Sequence, residues 1–508
     1  MIMRIVFLLM LAGLGGRACA AGAGSLVCTA SPGGRVFSLA NTIQSNMVIQ
    51  QGRPFKLWGH GPAGMQIEIR ADWMRSSRKA TCDAENDWMA AIEVPMAERG
   101  KYVSHTITLI SSLDTLVLSD ILIGEVWLCS GQSNMDMTIK PFLPWLKGAL
   151  NFEKEIAEAN YPAIRLFDVR TDFKAMPEDD CQGRWKVCSP ETAGDFSATA
   201  YFYARELWDR LQVPIGLVVS SVGGSSCQAW TSRETLESDS LLFYKYLYPY
   251  DTSVRSKAKL DSVVTFEKVV RPTLFYNAMI YPLRNLSIRG CIWYQGEANK
   301  DDKGMYTRLC AAMIRNWRVL FGHEDLPFYY VQVAPYTWEK NDPSAWDYAT
   351  LREAQGAIRD VVKHTGMAVI MDVSEPDDIH PRNKQAVGLR LAKIALAQTY
   401  GKKNISCLGP RFEKMQVEGM VVKVSFRPGT TGAGLTTSDG APPRNFYICG
   451  SDHVFYSAQA QIVDKQVWVT SDKVKEPVAV RYAFTNYPVT NFGNREGLPA
   501  EPFRSDDW

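Results

Sequence analysis

The stretch GEVWLCSGQSNMDM, residues 124–137, determines how the rest of the chain is interpreted. The run LVLSDILI at 116–123 precedes it, and this run is too short for a helix and rich in β-branched residues, which predicts a buried strand. The strand is expected to end near Cys129, because residues 130–134, SGQSN, are turn formers. At that turn Ser133 has two interpretations: a nucleophile flanked by backbone N–H groups that face a developing oxyanion, or a helix N-cap.

The same stretch resembles the first signature block of the sialate O-acetylesterase family, a branch of the SGNH (GDSL-like) hydrolases. The resemblance rests on GEVW at 124–127 and SGQSNM at 130–135, and it extends from about residue 35 to the end of the chain. It implies that Ser133 is the nucleophile. It also implies an α/β fold, with a three-layer α/β/α SGNH core built on a parallel sheet, an N-terminal β-sandwich and a C-terminal β module.

The overall composition is that of a folded, soluble protein with several domains. The chain has 508 residues, of which 46% are hydrophobic and 22% charged, and this length predicts two or three domains. The formal net charge of +2 gives no indication of a nucleic-acid or membrane-surface partner. No Cys-x-x-Cys pair or His/Cys cluster has zinc spacing, so we expect neither a metal nor a cofactor.

The N-terminus resembles a secretory leader. Arg4 precedes an apolar run at 5–14, and the small residues at 18–20, ACA, suit a cleavage site after Ala20. The run is shorter than the roughly 20 residues that span a bilayer. We therefore expect residues 1–20 to be a signal peptide and the mature protein to be exported, to a periplasmic, extracellular or lumenal space, without a membrane span.

Ten of the eleven cysteines remain after this expected cleavage. Cys181 and Cys188 lie close together in a polar segment, and in an oxidising compartment they are the expected disulfide. Cys129 and Cys291 lie in predicted buried strands, where we expect inert core thiols.

The hydrophobic pattern divides the chain into three parts. Residues 35–119 contain short alternating segments separated by turns, which predicts a small antiparallel β-sandwich. Its role is interpreted as packing, with carbohydrate binding as the alternative. Between 120 and 405 strands alternate with helices, which indicates a mostly parallel sheet covered on both faces. Alternation returns at 406–508 and predicts a second β module.

Two further polar clusters follow predicted strands of the central part. VGGSS at 222–226 ends one strand, and either Gly223 or Gly224 is suited to donate a backbone N–H to an oxyanion, unless the segment is only a tight structural turn. QGEAN at 295–299 ends another strand. The resemblance implies that the Gln295 amide is an oxyanion donor. It also suggests that five residues contact the substrate, namely Gln132, Asn134, Asn277, Glu297 and Asn299. For Glu297, acid–base chemistry and hydrogen bonding to neighbouring loops are alternatives.

A serine nucleophile needs an imidazole to accept its proton near neutral pH. Of the six histidines, only His380 follows a predicted strand of the central part through a short loop that can return to Ser133. The Asp-x-x-His spacing resembles the fifth SGNH block and offers Asp377 as the carboxylate that orients the ring. The adjacent Asp378, or a backbone carbonyl, is the alternative, and the spacing slightly favours Asp377.

The sequence and the resemblance together predict an exported serine esterase. It is expected to remove O-acetyl groups from sialic acids or sialoglycans through an acetyl-enzyme intermediate. One alternative is an esterase for acetyl-xylan or another acetylated polysaccharide. Another is a carbohydrate-binding protein with an inactive hydrolase core. No particular oligomeric state is predicted.

Overall fold

Short antiparallel strands open the part of the chain that the structure describes. The structure is a computed structural model that describes residues 37–337 and 345–508, so the expected signal peptide at 1–20 lies outside the described residues. The strands of this first region are β1 (Ser38–Leu39), β2 (Val48–Gln50), β3 (Phe55–His60), β4 (Gln66–Ala71), β5 (Arg78–Thr81), β6 (Asp87–Ile92), β7 (His105–Ser111) and β8 (Thr115–Gly131). Strands β1, β3 and β6 form one antiparallel sheet, and β4 pairs antiparallel with β5 and β7. Alternate side chains of β4, β6 and β7 are buried, as the period of two in the sequence predicts.

Strand β8 continues from these antiparallel strands into the central sheet. Its first part pairs antiparallel with β7, and its second part pairs parallel with β2, beginning with Leu122 opposite Val48. Asp120, whose φ is 55°, lies between the two parts, where the register with β7 shifts. The expected domain boundary between residues 119 and 120 therefore falls inside one strand. The strand ends at Gly131, slightly beyond the predicted end at Cys129.

The central sheet is mostly parallel. Its further strands are β9 (Tyr161–Val169), β10 (Gly183–Cys188), β11 (Ile215–Ser221), β12 (Gly290–Tyr294), β13 (Phe328–Val331) and β14 (Thr365–Ala368). The strand order is β10-β9-β11-β8-β12-β13-β14, and every neighbouring pair is parallel except β10 with β9. The carboxyl ends of β8, β11 and β12 consequently meet at one edge, where an open α/β sheet binds its ligand.

Helices cover both faces of this sheet. The α-helices of the described residues are α1 (Ser133–Asp136), α2 (Phe152–Ala157), α3 (Ala198–Leu211), α4 (Arg233–Glu237), α5 (Ser240–Leu242), α6 (Tyr248–Asp251), α7 (Phe266–Val269), α8 (Gly304–Leu320), α9 (Asp347–Val361) and α10 (Lys384–Gln398). Trp127 and Cys129 of β8 belong to a hydrophobic cluster with side chains of α3 and α10, whereas Val126 and Leu128 belong to a second cluster with side chains of α8 and α9. This is the mixed α/β class that the sequence predicted. Over the described residues, no helix is long and apolar enough to cross a membrane.

The C-terminal part of the chain is an antiparallel β structure. Its strands are β15 (Phe412–Glu418), β16 (Val421–Phe426), β17 (Leu435–Thr437), β18 (Phe446–Cys449), β19 (Tyr456–Val463), β20 (Gln466–Thr470), β21 (Ala479–Tyr482), β22 (Phe492–Asn494) and β23 (Phe503–Arg504). Seven of these strands form a sheet in the order β15-β16-β20-β19-β18-β21-β23, and β17 pairs with β22. Arg359 of α9 and Glu501 form a buried bidentate ion pair with two N–O distances of 2.7 Å, which holds this part against the helical layer.

The expected disulfide between Cys181 and Cys188 is wrong. All nine cysteines within the described residues are free thiols. Cys188 is the last residue of β10 and Cys181 lies just before that strand, so an extended backbone separates them at about 3.3 Å per residue. The resulting distance of about 20 Å far exceeds the ~7 Å Cα separation that a disulfide tolerates. Cys129 and Cys291 are confirmed as buried thiols, and burial raises the pKa of both.

Candidate active site

The turn that carries Ser133 is fixed by contacts between β8 and β12. Gly131 ends β8 with φ +143°, and a Cβ at this position would lie 2.2 Å from the Tyr294 carbonyl oxygen, so only glycine fits. The backbone N–H of Gln132 donates to the same carbonyl oxygen at 3.0 Å. Ser133 then begins the single turn of α1 and is partly buried. The sheet edge thus presents the Ser133 hydroxyl at a defined place.

His380 lies in contact with this hydroxyl. Its Nε2 is 2.8 Å from Ser133 Oγ, although the two residues are 247 positions apart. The loop between β14 and α10 carries His380, and the backbone N–H of Arg382 donates to the Glu375 carboxylate at 2.9 Å within it. A neutral imidazole with its proton on Nδ1 can accept the Ser133 proton at Nε2.

Asp378 is the carboxylate beside His380. Its Oδ1 accepts a hydrogen bond from the His380 backbone N–H at 2.9 Å and lies 3.4 Å from Nδ1 of the ring, and its Oδ2 lies 3.0 Å from Lys147 Nζ. Burial alone would raise the pKa of Asp378, but the hydrogen bonds from His380 and Lys147 outweigh it and hold the pKa well below its ordinary value. Asp377, which the spacing slightly favoured, is exposed and makes no hydrogen bond or ion pair with the rest of the described chain. The loop turns the second aspartate, not the first, toward the ring.

The glycine-rich turn after β11 brings Gly223 to Ser133. A Cβ on Gly223 would lie 3.7 Å from Ser133 Cβ, whereas a Cβ on Gly224 would contact the ring of Phe266 at 3.5 Å. Gly224 has φ +73°, which explains the glycine at that position. The geometry therefore distinguishes the two glycines, and Gly223 is the one beside the nucleophile.

Asp136 lies on the same side of the site. Its Oδ1 accepts a hydrogen bond from the Ser221 hydroxyl at 3.1 Å, and the Gly223 N–H also stabilises its charge. Solvent reaches the Asp136 side chain, but the protein packed around the carboxyl desolvates it and raises its pKa to about 6, with the charge of Asp168 adding to the effect. Asp136 thereby connects the end of β11 to the helix that begins with Ser133.

The Gln295 amide is fully engaged inside the protein. Its Nε2 donates to the Ser225 carbonyl at 3.1 Å and to Asn299 Oδ1 at 2.8 Å, and its Oε1 accepts from the Tyr306 hydroxyl at 2.9 Å. A primary amide has only two N–H hydrogens, so none is left for an oxyanion. The side chain is also completely buried. The structure thus gives Gln295 a place in the scaffold behind the turn after β12, and not at the Ser133 hydroxyl.

The residues predicted to contact substrate are all buried. Asn277 Nδ2 donates to the carbonyls of Lys174 and Ala175, and Asn299 Nδ2 donates to Gln228 Oε1 and Asp302 Oδ2, so these two amides hold loops together. Asn134 and Glu297 are hydrogen-bonded to each other beneath Ser133, at 2.9 Å. The side-chain oxygen Oε1 of Gln132 accepts from the N–H groups of Gly296 and Ala298 at 3.3 Å each. Hydrogen bonding to neighbouring loops, the alternative considered for Glu297, is therefore what most of these side chains do.

Comparisons with known proteins agree with this site. The carbohydrate esterase family described as sialic acid-specific acetylesterase matches residues 123–397, a range that includes both Ser133 and His380. The sialate O-acetylesterase of Mus musculus is 31% identical, over 92% of this chain and 94% of that protein. That of Homo sapiens is 32% identical, over 92% of each chain. The chain belongs to the sialic acid-specific acetylesterase family of carbohydrate esterases.

The fold agrees with this family assignment. A crystal structure of a carbohydrate acetylesterase from Xanthomonas citri superposes with a TM-score of 0.81 and 32% sequence identity, covering 93% of this chain and all of that one. As a member of the acetylesterase family, the protein is a carboxylic ester hydrolase that removes O-acetyl groups. Ser133 and His380, the nucleophile and base expected from the sequence and the resemblance, are in hydrogen-bond contact with each other.

Sequence reasoning missed three charged residues of the acetylesterase site, namely Asp136, Lys147 and Lys384. Lys384 carried a usable signal, because it is the first residue of α10, where the helix dipole disfavours a cation. A lysine at that position needs a specific acceptor. Asp136 and Lys147 carried no comparable signal, since a short polar side chain after a turn and a lysine in a loop are both ordinary at the surface.

Proposed function

We propose that this acetylesterase is an exported sialate O-acetylesterase in which Ser133 is the nucleophile, His380 the general base and Asp378 the carboxylate that orients the imidazole. The observation that carries the proposal is the 2.8 Å contact between Ser133 Oγ and His380 Nε2 at the carboxyl edge of the central sheet. The mammalian relatives are sialate O-acetylesterases, and the match with this chain covers almost their whole length. This similarity supports O-acetylated sialic acid, free or in a sialoglycan, as the substrate.

The reaction proceeds in two halves. Ser133 Oγ attacks the acetyl carbonyl carbon while its proton passes to His380 Nε2, and the resulting tetrahedral intermediate collapses as the bond to the sugar oxygen breaks. His380 returns the proton to that sugar oxygen, which leaves as a hydroxyl. Water then attacks the acetyl-Ser133 carbonyl, giving its proton to His380. Acetate leaves, and Ser133 regains its proton.

The backbone N–H groups of Ser133 and Gly223 are the proposed oxyanion donors. Ser133 is the first residue of α1, so its N–H has no partner within the helix. The approach of Gly223 to the Ser133 side chain supports the second donor, and its N–H, which stabilises the Asp136 carboxylate in the free enzyme, would turn to the oxyanion when the intermediate forms. Gln132 is the proposed third contact with the substrate, because its side-chain oxygen Oε1 is fixed by two backbone N–H groups while its Nε2 bonds no acceptor within 37–337 or 345–508. Gln295 is not included, since both of its N–H hydrogens are already used.

The proposed architecture is an SGNH-type core with β modules on either side. We assign 35–119 to an N-terminal β-sandwich, 120–405 to the catalytic α/β core and 406–508 to the C-terminal β module, with β8 shared by the first two. The sheet order and the two helical layers support the core assignment. Export is proposed from the leader-like composition of residues 1–20.

The test is a comparison of acetate release from O-acetylated sialic acid and from acetyl-xylan by the purified protein. We expect release from the sialic acid at a kcat/KM at least about tenfold higher, a difference of about 1.4 kcal/mol in transition-state binding. Preference for acetyl-xylan would contradict the sialate assignment and leave the esterase assignment intact. A protein that binds either ligand but releases no acetate would contradict both.

A further inference from the structure

A buried polar cluster lies directly beneath Ser133. The amide of Asn134 accepts a hydrogen bond at Oδ1 from Lys384 Nζ at 2.6 Å and donates from Nδ2 to Glu297 Oε1 at 2.9 Å. Asn134 and Lys384 have no exposed surface, and Glu297 is 7% exposed. The cluster therefore consists of a cation and an acid, both taken out of water and joined through one amide.

The same amide connects the nucleophile segment to the base segment. Asn134 Nδ2 also donates to the backbone carbonyl of Ile379, at 3.1 Å, and Ile379 is the residue immediately before His380. Asn134 itself immediately follows Ser133. The side chain of Asn134 therefore joins the residue after Ser133 to the residue before His380, and a rotation of this amide would break that link.

Lys384 and Glu297 together allow only one orientation of the amide. In their ionised forms Lys384 Nζ can only donate and the Glu297 carboxylate can only accept, so with both charges present the Asn134 oxygen faces the lysine and its nitrogen the glutamate. Lys384 Nζ also lies 5.1 Å from the centre of the Tyr294 ring, on the strand whose carbonyl fixes Gln132. The backbone carbonyl of Asn134 accepts a separate hydrogen bond from the Thr199 hydroxyl at 3.1 Å. The oxygen and the nitrogen of the side-chain amide are thus both hydrogen-bonded, and the backbone of the same residue is held as well.

This arrangement is costly for the fold. Burial lowers the pKa of Lys384 to about 7 against the opposing charges of Glu297, Asp378 and Glu375, and burial raises the pKa of Glu297. Glu297 Oε2 has no hydrogen-bond partner within the described residues. Apolar residues of similar volume are often no less stabilising than a buried ion pair, so stability alone does not account for the cluster.

We propose that Asn134 is a positioning residue, locked by Lys384 and Glu297, that sets the distance between Ser133 and His380. The inference rests on the proposed function, since it assumes that these two residues form the reacting pair. In this account Lys384 and Glu297 never touch substrate. They act through the Asn134 amide, and their loss lowers the turnover of bound substrate without weakening its binding.

The test measures kcat and KM for acetate release, together with the thermal unfolding midpoint, in four variants. Asn134→Asp keeps the side-chain shape and removes both N–H donors, and Lys384→Met removes the donor to Oδ1. Because a misplacement of about 1 Å costs about 10²-fold in rate, we expect kcat to fall about 10²-fold in the first and 10- to 10²-fold in the second, with KM within about threefold. Glu297→Gln keeps an acceptor and should lower kcat less than about fivefold. Arg318→Met is the matched control, because it removes a buried cation of α8 that bonds the Leu326 carbonyl, away from Ser133; it should lower the unfolding midpoint and leave kcat unchanged.

Three results would overturn the inference. One is a folded Lys384→Met or Asn134→Asp protein whose kcat lies within about threefold of wild type. The second is a rise in KM with kcat unchanged, which would indicate substrate contact instead of positioning. The third result concerns the case in which Lys384→Met does not fold. The Lys384→Met/Glu297→Gln double variant then removes both buried charges, and a wild-type kcat in this double variant would overturn the inference. Full activity of Ser133→Ala, by contrast, would refute the proposed function itself.

Discussion

Replacing Asp378 by asparagine should slow the enzyme severely, whereas the same change at Asp377 should not. Asp378→Asn keeps the size of the side chain and removes the negative charge that faces the His380 ring at 3.4 Å. The new amide can present its N–H to Nδ1 as readily as its oxygen, which would favour the wrong imidazole tautomer. Asp377 is exposed and makes no ion pair within the described residues, so Asp377→Asn is a matched control one position away.

The expected magnitude follows from the geometry. With an effective dielectric constant of about 20, unit charges 3.4 Å apart interact by about 5 kcal/mol, and this energy is available only when the imidazolium forms. Lys147 lies 3.0 Å from the other carboxylate oxygen and offsets part of the interaction. We therefore expect about 3 to 5 kcal/mol in the barrier, a fall of about 10² to 10⁴ in kcat. Asp377→Asn should stay within about threefold of wild type.

The assay is steady-state acetate release, with circular dichroism and thermal unfolding to verify the fold of each variant. Equal and mild losses in the two variants would refute the reasoning and favour a Ser133–His380 dyad. A severe loss in Asp377→Asn alone would show that the loop rearranges on substrate binding to present the other carboxylate.

The ion pairs of Asp378 also predict a pH dependence. Its pKa is lowered in the folded state, so its ionised form stabilises the fold at pH values above the unfolded pKa of about 3.9, and this contribution is lost as the pH falls through the lower folded value. The difference in unfolding free energy between wild type and Asp378→Asn should therefore shrink only below about pH 4. A difference that is already lost by pH 5 to 6 would contradict the assignment.

Three further results are expected. Gly131→Ala should abolish activity and lower the unfolding midpoint, because the new Cβ would lie 2.2 Å from a carbonyl oxygen of β12. Gly304→Ala is the control: open space surrounds this position, so the change should do neither. Activity in Gly131→Ala would contradict the turn geometry. Glu501→Gln should lower the free energy of unfolding, measured by urea titration, by about 3 kcal/mol, because it leaves Arg359 buried without its charge partner. A change below about 1 kcal/mol would argue against this ion pair. In a thiol-reagent titration of a Cys28→Ser protein, Cys407 should react first, because it is the one partly exposed cysteine within the described residues. A fast phase that survives the further change Cys407→Ser would refute this.

The local parts of the site could be predicted from the sequence because their signals are local. The apolar run before Cys129 and the turn formers after it place a serine at the end of a buried strand, and the structure confirms the strand and the turn. His380 emerged because only an imidazole can accept and return the proton near neutral pH. Its contact with Ser133 depends on loops that no periodicity describes, but the small number of histidines left few alternatives.

The choice between neighbouring residues could not be made from spacing. Asp377 and Asp378 differ only in which way the loop turns, and that is set by tertiary contacts such as the ion pair of Asp378 with Lys147. Gln295 has the chemistry of an oxyanion donor, but its hydrogens bond a carbonyl and an amide from other parts of the chain. The fold determines which groups become hydrogen-bond partners in this way, and neither the composition nor the hydrophobic periodicity of the sequence predicts them.

The sharing of β8 between two domains was hidden for a similar reason. The sequence predicts one strand through residues 116–123, but the expected domain boundary between residues 119 and 120 falls inside it, at a bulge. What keeps the strand intact is pairing with β7 on one side of the bulge and with β2 on the other. Conversely, closeness in sequence suggested a disulfide at 181 and 188, and an extended strand separates those residues.

The most direct test of the account identifies the residue that carries the acetyl group during turnover. The enzyme is mixed with O-acetylated sialic acid, quenched in acid within milliseconds and digested, and the peptides are examined by mass spectrometry. We predict one acetylated peptide, with the acetyl group on Ser133, and neither this adduct nor acetate release in Ser133→Ala. Acetyl transfer to another residue, or continued acetate release by Ser133→Ala, would contradict the assignment of Ser133 and His380 as the reacting pair.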